Sequence, residues 1–172
     1  MVFTGLLESK LNPSNIGSII SQTNDRYDLL ASQLFDNRDI WGYRHLYSAI
    51  WHAMKAKKNQ RMISKSLSIE ILLYVAGQRQ IKKAIDLLGV KETTQAVTGI
   101  LLGETARHLI NINTQLKKEL HLKSNLSLLD DFSSKKQHFI KRLINDGFAA
   151  DDFTFSEIEK AVLQKIAILA LE

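Results

Sequence analysis

The residues best suited to binding a ligand are concentrated in one basic segment, Lys55–Lys83. It contains eight Lys or Arg residues and a single acidic residue, Glu70, whereas the formal net charge of the whole 172-residue chain is only +5. Such a local excess of positive charge is typical of a surface that binds a polyanion, above all a nucleic acid. A solvated lysine-rich face has the same composition, so the charges alone leave both interpretations open.

The end of the basic segment has the pattern of a helix start. After Gly77, the residues Gln78-Arg79-Gln80 lead into an amphipathic stretch whose apolar residues recur at helical spacing, namely Ile81, Ala84, Ile85 and Leu88. We expect Gly89 to end this helix in the left-handed conformation. Unpaired backbone N–H groups at a helix start attract anions, and an arginine strengthens the attraction. The spacing therefore predicts an anion-binding turn at residues 77–80.

The sequence lacks the residue patterns of the common catalytic sites. It has no cysteine, which excludes thiol nucleophiles and thiolate metal ligands and is typical of cytosolic proteins. It has no phosphate-binding glycine loop and no Gly-x-Ser-x-Gly motif. Its five histidines show no metal-ligand spacing. We therefore expect no catalytic residue, no metal and no cofactor.

Two acidic doublets, Asp130-Asp131 and Asp151-Asp152, have the composition of a catalytic carboxylate pair. Each lies just before a capping-box pattern, Ser134-x-x-Gln137 or Thr154-x-x-Glu157. Carboxylates before a helix stabilise its start. The spacing therefore favours a helix-capping role and predicts that these two boxes open the last two helices.

The predicted strands provide the framework for these residues. Ile69–Ala76 is a nearly continuous apolar run that ends at a glycine, which is typical of a strand buried on both faces. Ala96–Leu102 is predicted to pair with it, and further strands are predicted at Val2–Leu7 and Leu29–Phe35. The segment 122–132 has no clear period, and we interpret it as a loop.

Helical patterns account for most of the remaining chain. Asparagine followed by proline at Asn12-Pro13 predicts the first helix start, and amphipathic stretches predict helices over 41–58, 81–88 and 105–120. With the two helices that the capping boxes open, the chain has about six helices and a small, mostly antiparallel sheet of about four strands. The sequence therefore predicts an α+β fold with a single domain over residues 1–172.

Four aromatic residues, Trp41, Tyr43, Tyr47 and Trp51, lie on or beside the helix predicted over 41–58. Aromatic rings on a protein surface can stack on unpaired bases. Their helical spacing favours packing in the core instead, and this is the interpretation that we adopt.

The last helix is apolar around nearly its whole circumference between Val162 and Leu171. Val162, Ile166 and Leu169 continue one face, which predicts that this face packs in the core. A second apolar face is typical of a helix that also binds a partner protein; burial of both faces within the domain is the alternative. The predicted partner-binding residues are Leu163, Ala167, Ile168, Ala170 and Leu171.

Three parts of the sequence resemble one known protein family. They are Glu70-Ile-Leu-Leu-Tyr-Val-Ala-Gly-Gln-Arg-Gln-Ile81, Gln33-Leu-Phe-Asp36 with Trp41-Gly-Tyr-Arg-His-Leu46, and Ile158–Leu171. Together they resemble the small tRNA- and kinase-binding regulatory subunit of the KEOPS complex, whereas residues 105–130 lie outside the resemblance.

The resemblance implies a non-catalytic subunit of a complex that makes threonylcarbamoyladenosine in tRNA. It implies that the chain binds and stimulates a small kinase-like ATPase and, as in archaeal members, binds the single-stranded acceptor end of tRNA. The tRNA-binding residues expected on this interpretation are Lys57, Lys58, Arg61, Lys65, Gln78, Arg79, Gln80, Lys82 and Lys83. The alternatives are a stand-alone RNA-binding protein and a nucleotide transferase.

The sequence has no pattern that directs it to a membrane. The first ten residues lack the cationic start and the long apolar stretch of a signal peptide. The longest apolar runs, Ile71–Ala76 and Ile166–Leu171, are much shorter than the about 20 residues that span a bilayer. We therefore expect a soluble, cytoplasmic protein that binds neither membrane nor DNA.

Overall fold

The computed structural model describes residues 1–148 and 153–171, and in this part of the chain four strands and seven α-helices form an α+β fold, as predicted. The strands are β1 (Val2–Leu7), β2 (Ala31–Asp36), β3 (Ala96–Leu102) and β4 (Leu122–Ser124). The helices are α1 (Ile16–Tyr27), α2 (Gly42–Lys58), α3 (Leu67–Ala76), α4 (Ile81–Leu88), α5 (Ala106–Glu119), α6 (Phe132–Asn145) and α7 (Phe155–Leu171).

The four strands form one antiparallel sheet in the order β2-β3-β1-β4. In this register Gly99 of β3 lies opposite Phe3 of β1 and opposite Leu34 of β2. The Phe3 ring occupies the space above Gly99, where an added Cβ would lie 2.0 Å from the ring. Gly99 therefore lets an aromatic side chain pack directly on the backbone of the central strand pair.

The sheet is the middle layer of three, because its side chains alternate between two covered faces. On one face, Phe35 and Ile100 pack with residues of α2, α3 and α7. On the other face, Phe3 and Leu34 pack with residues of α1 and α5. The basic segment and the last helix thus lie on the same side of the sheet.

The central apolar run is a helix, so the strand predicted over Ile69–Ala76 was wrong. Residues Leu67–Ala76 form α3, and all but one of them are buried. A helix that is buried around its circumference needs no polar face, and its sequence therefore lacks the period that distinguishes a helix from a buried strand. Consequently, β3 pairs with β1 and β2 instead of with residues 69–76.

The fourth strand lies in the segment that was interpreted as a loop. Residues Leu122–Ser124 form β4, which pairs with the end of β1, and a 3-10 turn follows at Leu126–Leu129. Three residues are too few to show the alternation of a strand. The predicted number of strands is therefore right although one predicted strand was wrong.

The glycines at the ends of α3 and α4 differ from the prediction. Gly89 ends α4 with φ −63°, which is not left-handed, whereas Gly77 ends α3 with φ 61°. The left-handed glycine that ends a helix is thus Gly77, because the run before it is a helix instead of a strand.

Of the two predicted capping boxes, the box at α7 is present, whereas α6 begins before Ser134 and is capped by Asp131 instead. Helix α6 begins at Phe132, since Asp131 is its N-cap and accepts a hydrogen bond from the Ser134 amide at 3.3 Å. At α7 the box is present: the Thr154 amide donates to the Glu157 carboxylate at 2.8 Å, and the Glu157 amide donates to the Thr154 hydroxyl at 3.3 Å. The doublet Asp151-Asp152 lies outside the described residues.

The described part of the chain has neither a membrane-spanning helix nor a cluster of metal ligands. None of its helices is both long enough and apolar enough to cross a membrane. Nor do any three of its His, Asp or Glu side chains come together as metal ligands.

Candidate functional site

Helix α7 has one buried apolar face and one exposed apolar face. The buried face, which was predicted to pack in the core, comprises Ile158, Val162, Ile166 and Leu169. On the other side, Leu171 is 84% exposed, and Ala167 and Ile168 are also exposed. Leu163 and Ala170 are half-buried and pack against the edge of the core. The five predicted partner-binding residues are therefore three exposed and two half-buried residues of one helix.

An aromatic face of α2 lies beside this side of α7. Tyr43, Tyr47 and Trp51 are all about half exposed or more, and the rings of Tyr43 and Tyr47 stack with 6.1 Å between centroids. Together they line a hollow, called here the aromatic hollow, which is formed by Tyr43, Arg44, Tyr47, Ser48, Trp51, His52, Leu163 and Ala167. The exposed apolar surface thus extends across two helices.

The predicted burial of the aromatic residues is right for Trp41 and wrong for the other three. Trp41 precedes α2 and lies in the core with Phe139 of α6. Tyr43, Tyr47 and Trp51 are spaced four residues apart and share one face of α2. Leu46, Ala49 and Ala53 occupy the opposite, buried face, so the helix has separate aromatic and core faces.

A groove of about 370 Å³ lies on the other side of the α7 C-terminus. It brings together three cationic side chains, those of Lys55, Arg61 and Arg79. We call it the basic groove, and it is lined by His52, Lys55, Ala56, Asn59, Arg61, Ile63, Tyr74, Arg79, Ala167, Leu169, Ala170 and Leu171. Residues from both halves of the basic segment therefore converge on one site, which favours a common ligand over a diffuse solvated face.

Two stacked rings line the wall of the basic groove. The imidazole of His52 lies 5.9 Å from the Tyr74 ring, at 20° between the planes. Burial and then the nearby charge of Lys55 lower the pKa of His52, which keeps its ring neutral at neutral pH. The pKa of Tyr74 is raised, chiefly by burial and then by Glu70, while Arg61 and Arg79 oppose the rise. The positive charge of the groove is thus carried by its Lys and Arg residues.

The predicted anion-binding turn adjoins the groove and leads into α4. Gln78, Arg79, Gln80 and Lys83 line a second hollow together with Gly77, Asp146, Phe148, Lys165, Ile168 and Leu169. Lys165 contacts Asp146 at 2.5 Å, and burial lowers the pKa of Lys165. Arg79 lines both the groove and this hollow and joins them into one cationic surface.

The remaining predicted RNA-binding cations lie apart from these depressions. Lys57, Lys58, Lys65 and Lys82 are exposed and line neither the basic groove nor the hollow beside it. Lys55 was left out of the predicted set although it belongs to the same cationic run. Tyr74 was missed because the run that contains it was assigned to a strand, which gives no reason to place a ring near the lysines.

Helix α4 buries less than its sequence predicted. Ala84 and Leu88 are buried, whereas Ile81 and Ile85 are exposed. The predicted four-residue stripe is therefore wrong for its first and third members. A helix of eight residues contacts the domain through only one narrow stripe, which leaves the flanking apolar side chains in solvent.

Comparison with known families gives the class of protein to which this fold belongs, that of kinase-binding proteins. One family model, described as kinase binding protein CGI-121, matches residues 11–170. The match extends over most of the chain, and the chain therefore belongs to the CGI-121 family. This confirms the resemblance drawn from the sequence. A search of curated proteins found no match.

Proposed function

We propose that this protein is a non-catalytic, cytoplasmic subunit of the KEOPS complex, in which it binds and stimulates the small kinase-like ATPase and holds the acceptor end of tRNA. The observation that carries the proposal is the position of an exposed apolar face beside a cationic groove on a chain of the CGI-121 family. The two surfaces suit two different ligands. The chemistry of threonylcarbamoyladenosine formation then belongs to another subunit.

The kinase-binding surface in this proposal is the exposed face of α7 together with the aromatic face of α2. Trp and Tyr side chains are enriched among the residues that dominate interface energies. Here Trp51 and Tyr47 line the same hollow as small Ala167 and half-buried Leu163, so a partner side chain can pack there against large rings. An apolar surface of this kind on two packed helices is typical of a protein-binding site.

The RNA-binding surface in this proposal is the basic groove. Its three cations can neutralise phosphates, and the half-buried His52 ring, which stacks on the buried ring of Tyr74, offers an aromatic surface to an unpaired base. The Asn59 side chain adds an amide, which can both donate and accept hydrogen bonds. A single-stranded end fits such a groove better than a duplex, because its bases are free to stack on protein rings.

The experiment that tests the proposal measures both ligands with two variants. Tyr47→Ala is expected to weaken binding of the purified kinase-like subunit by about 2 kcal/mol, since tyrosines are enriched among the residues that dominate interface energies, and to leave tRNA binding nearly unchanged, because Tyr47 lines the aromatic hollow and not the basic groove. Arg79→Glu is expected to weaken tRNA binding and to leave binding of the kinase-like subunit nearly unchanged. The proposal is wrong if the wild-type protein binds neither ligand, or if both variants behave like the wild type.

The RNA-binding protein without a kinase partner is the second candidate, and the basic groove is the observation that favours it. It makes a different prediction for the same measurement. Such a protein binds tRNA through the groove, loses that binding with Arg79→Glu, and shows no affinity for the kinase-like subunit.

A further inference from the structure

We propose that Glu70 is a positioning residue for RNA binding: its buried carboxylate fixes the loop that carries Arg61 into the basic groove. The inference rests on the RNA-binding part of the proposed function. It assigns a role to the one acidic residue of the basic segment, which contributes no positive charge and does not line the groove.

The Glu70 carboxylate is directed at the backbone of the preceding loop. The residue is fully buried, and one carboxylate oxygen accepts a hydrogen bond from the Ile63 amide at 3.1 Å. The other oxygen accepts bonds from the Ser64 amide at 2.8 Å and the Ser64 hydroxyl at 2.9 Å. Burying a charge is costly unless it is hydrogen-bonded, and bonds to a charged acceptor are strong. The loop is therefore held at residues 63 and 64.

The other end of the loop is held by the end of α2. Gln60 has a left-handed backbone with φ 55°. Its amide donates to the Lys57 carbonyl at 3.1 Å, and the Arg61 amide donates to the Ala56 carbonyl at 2.9 Å. This pair of bonds is the Schellman arrangement that ends many helices. Arg61 thus lies between a helix end and the Glu70 contact, and its backbone is fixed on both sides.

The buried position of the Glu70 carboxylate explains how an acidic residue can lie within a segment that binds polyanions. An exposed carboxylate among Lys55, Arg61 and Arg79 would repel phosphate. Glu70 instead faces backbone N–H donors below the groove, and Tyr74, one turn later on α3, lines the groove. The residue therefore orders the cationic surface without reducing its attraction for RNA.

Glu70→Gln is the informative variant, because it preserves the size of the side chain while removing two properties. The amide is uncharged, and its nitrogen is a donor that cannot accept a bond from a backbone N–H. At least one loop amide then loses its partner. We expect faster hydrogen exchange at the amides of Ile63 and Ser64, with exchange in the sheet unchanged.

The RNA measurement uses a tRNA transcript with its unpaired 3′ end and a double-variant cycle. Arg61→Ala is expected to weaken tRNA binding by about tenfold through the loss of one phosphate contact. Glu70→Gln is expected to weaken it by roughly fivefold, because it loosens the loop that carries Arg61 and leaves the arginine in place. If Glu70 acts through Arg61, the double variant binds no more weakly than Arg61→Ala alone. Ile71→Val is the matched control. It removes one buried methyl group from the residue next to Glu70 on α3 and so weakens the core packing, while the hydrogen bonds from Glu70 to the loop are kept.

Each result is decisive. Independent losses in the double variant, unchanged exchange at residues 63 and 64, or an equal loss of affinity with Ile71→Val would overturn the role of Glu70. If Arg61→Ala weakens binding and Glu70→Gln does not, the inference fails while the proposed RNA function stands. If the wild-type protein does not bind the transcript, the RNA function fails and the positioning role fails with it.

Discussion

The ammonium group of Lys55 lies 5.1 Å from the ring centroid of Trp51, one helical turn away on α2. Trp51 lines the aromatic hollow, whereas Lys55 lines the basic groove. The two surfaces therefore adjoin within a single turn, and Ala167 of α7 lines both. Variants at residues that line only one surface separate the two proposed functions, whereas a variant at Ala167 tests both together.

Ala167→Glu is expected to weaken binding of both the kinase-like subunit and tRNA. The new carboxylate would be buried under an apolar partner on one side and would repel phosphate on the other. We expect a loss of about 2 kcal/mol or more for the kinase. Because Ala167 is exposed, the melting temperature should change little. Pull-down, fluorescence anisotropy and circular dichroism melting measure the three quantities.

Ile166→Glu is the control for this prediction. Ile166 is 1% exposed, so the substitution places an unpaired charge in the core and is expected to unfold the protein. If Ala167→Glu melts as early as Ile166→Glu, the outer face of α7 is not available to a partner and the kinase-binding surface lies elsewhere.

Lys55→Ala is expected to weaken tRNA binding by about 1–3 kcal/mol and to reduce its salt dependence by the equivalent of one phosphate contact. Lys57→Ala is the matched control, since Lys57 is exposed on the same helix but does not line the groove. Titrations at several salt concentrations give both quantities. Equal effects of the two variants would indicate a diffuse lysine face instead of a groove.

The class of fold could be predicted from the sequence because most elements have a clear period or a clear start. The strand at Val2–Leu7 has the predicted bounds, and the capping box of α7 has the expected hydrogen bonds. The identity of α3 could not be predicted in the same way. Eight of its ten residues are apolar and lie on all sides of the helix, which α2, α4, α7 and β2 surround, and burial of that kind removes the periodic signal.

The positive charge of the candidate site could be predicted from the sequence, but the groove that brings the charged side chains together could not. The cationic run indicates Arg61 and Arg79, but no spacing rule relates them to Lys55 across two helices and a loop. The exposed aromatic face of α2 was missed for a related reason. Trp41 and Trp51 look alike in the sequence, and only the packing of α6 and α7 around Trp41, just before α2, buries the first of them.

His45 is expected to make the protein less stable in acid. Burial, ahead of all other causes, lowers its pKa from 6.5 to about 3. Its ring nitrogens lie 2.9 Å from the Val75 carbonyl oxygen and 3.0 Å from the Trp41 amide nitrogen, so one nitrogen donates, the other accepts, and the folded ring is neutral. Below pH 6.5 the unfolded chain binds a proton that the folded chain does not, and stability falls as the pH falls from 6.5 towards 3.

His45→Gln isolates this effect, because glutamine can donate to one partner and accept from the other but does not titrate. Urea unfolding of both proteins at pH 7 and pH 4.5 gives the comparison. The wild type is expected to lose about 2–3 kcal/mol more than the variant between these values. Equal losses in the two proteins would show that His45 is protonated in the folded state or is exposed.

Gln60→Gly is expected to stabilise the protein by about 0.5–1 kcal/mol. A side chain at φ 55° costs about 1–2 kcal/mol, and the greater freedom of glycine in the unfolded chain offsets part of the gain. Asn59→Gly is the matched control. Asn59 has φ −90°, so glycine relieves no backbone strain there and is expected to destabilise the protein. Urea unfolding of the two variants decides the matter. If Gln60→Gly is the less stable of the two, the end of α2 does not have the left-handed geometry that places Arg61 in the groove.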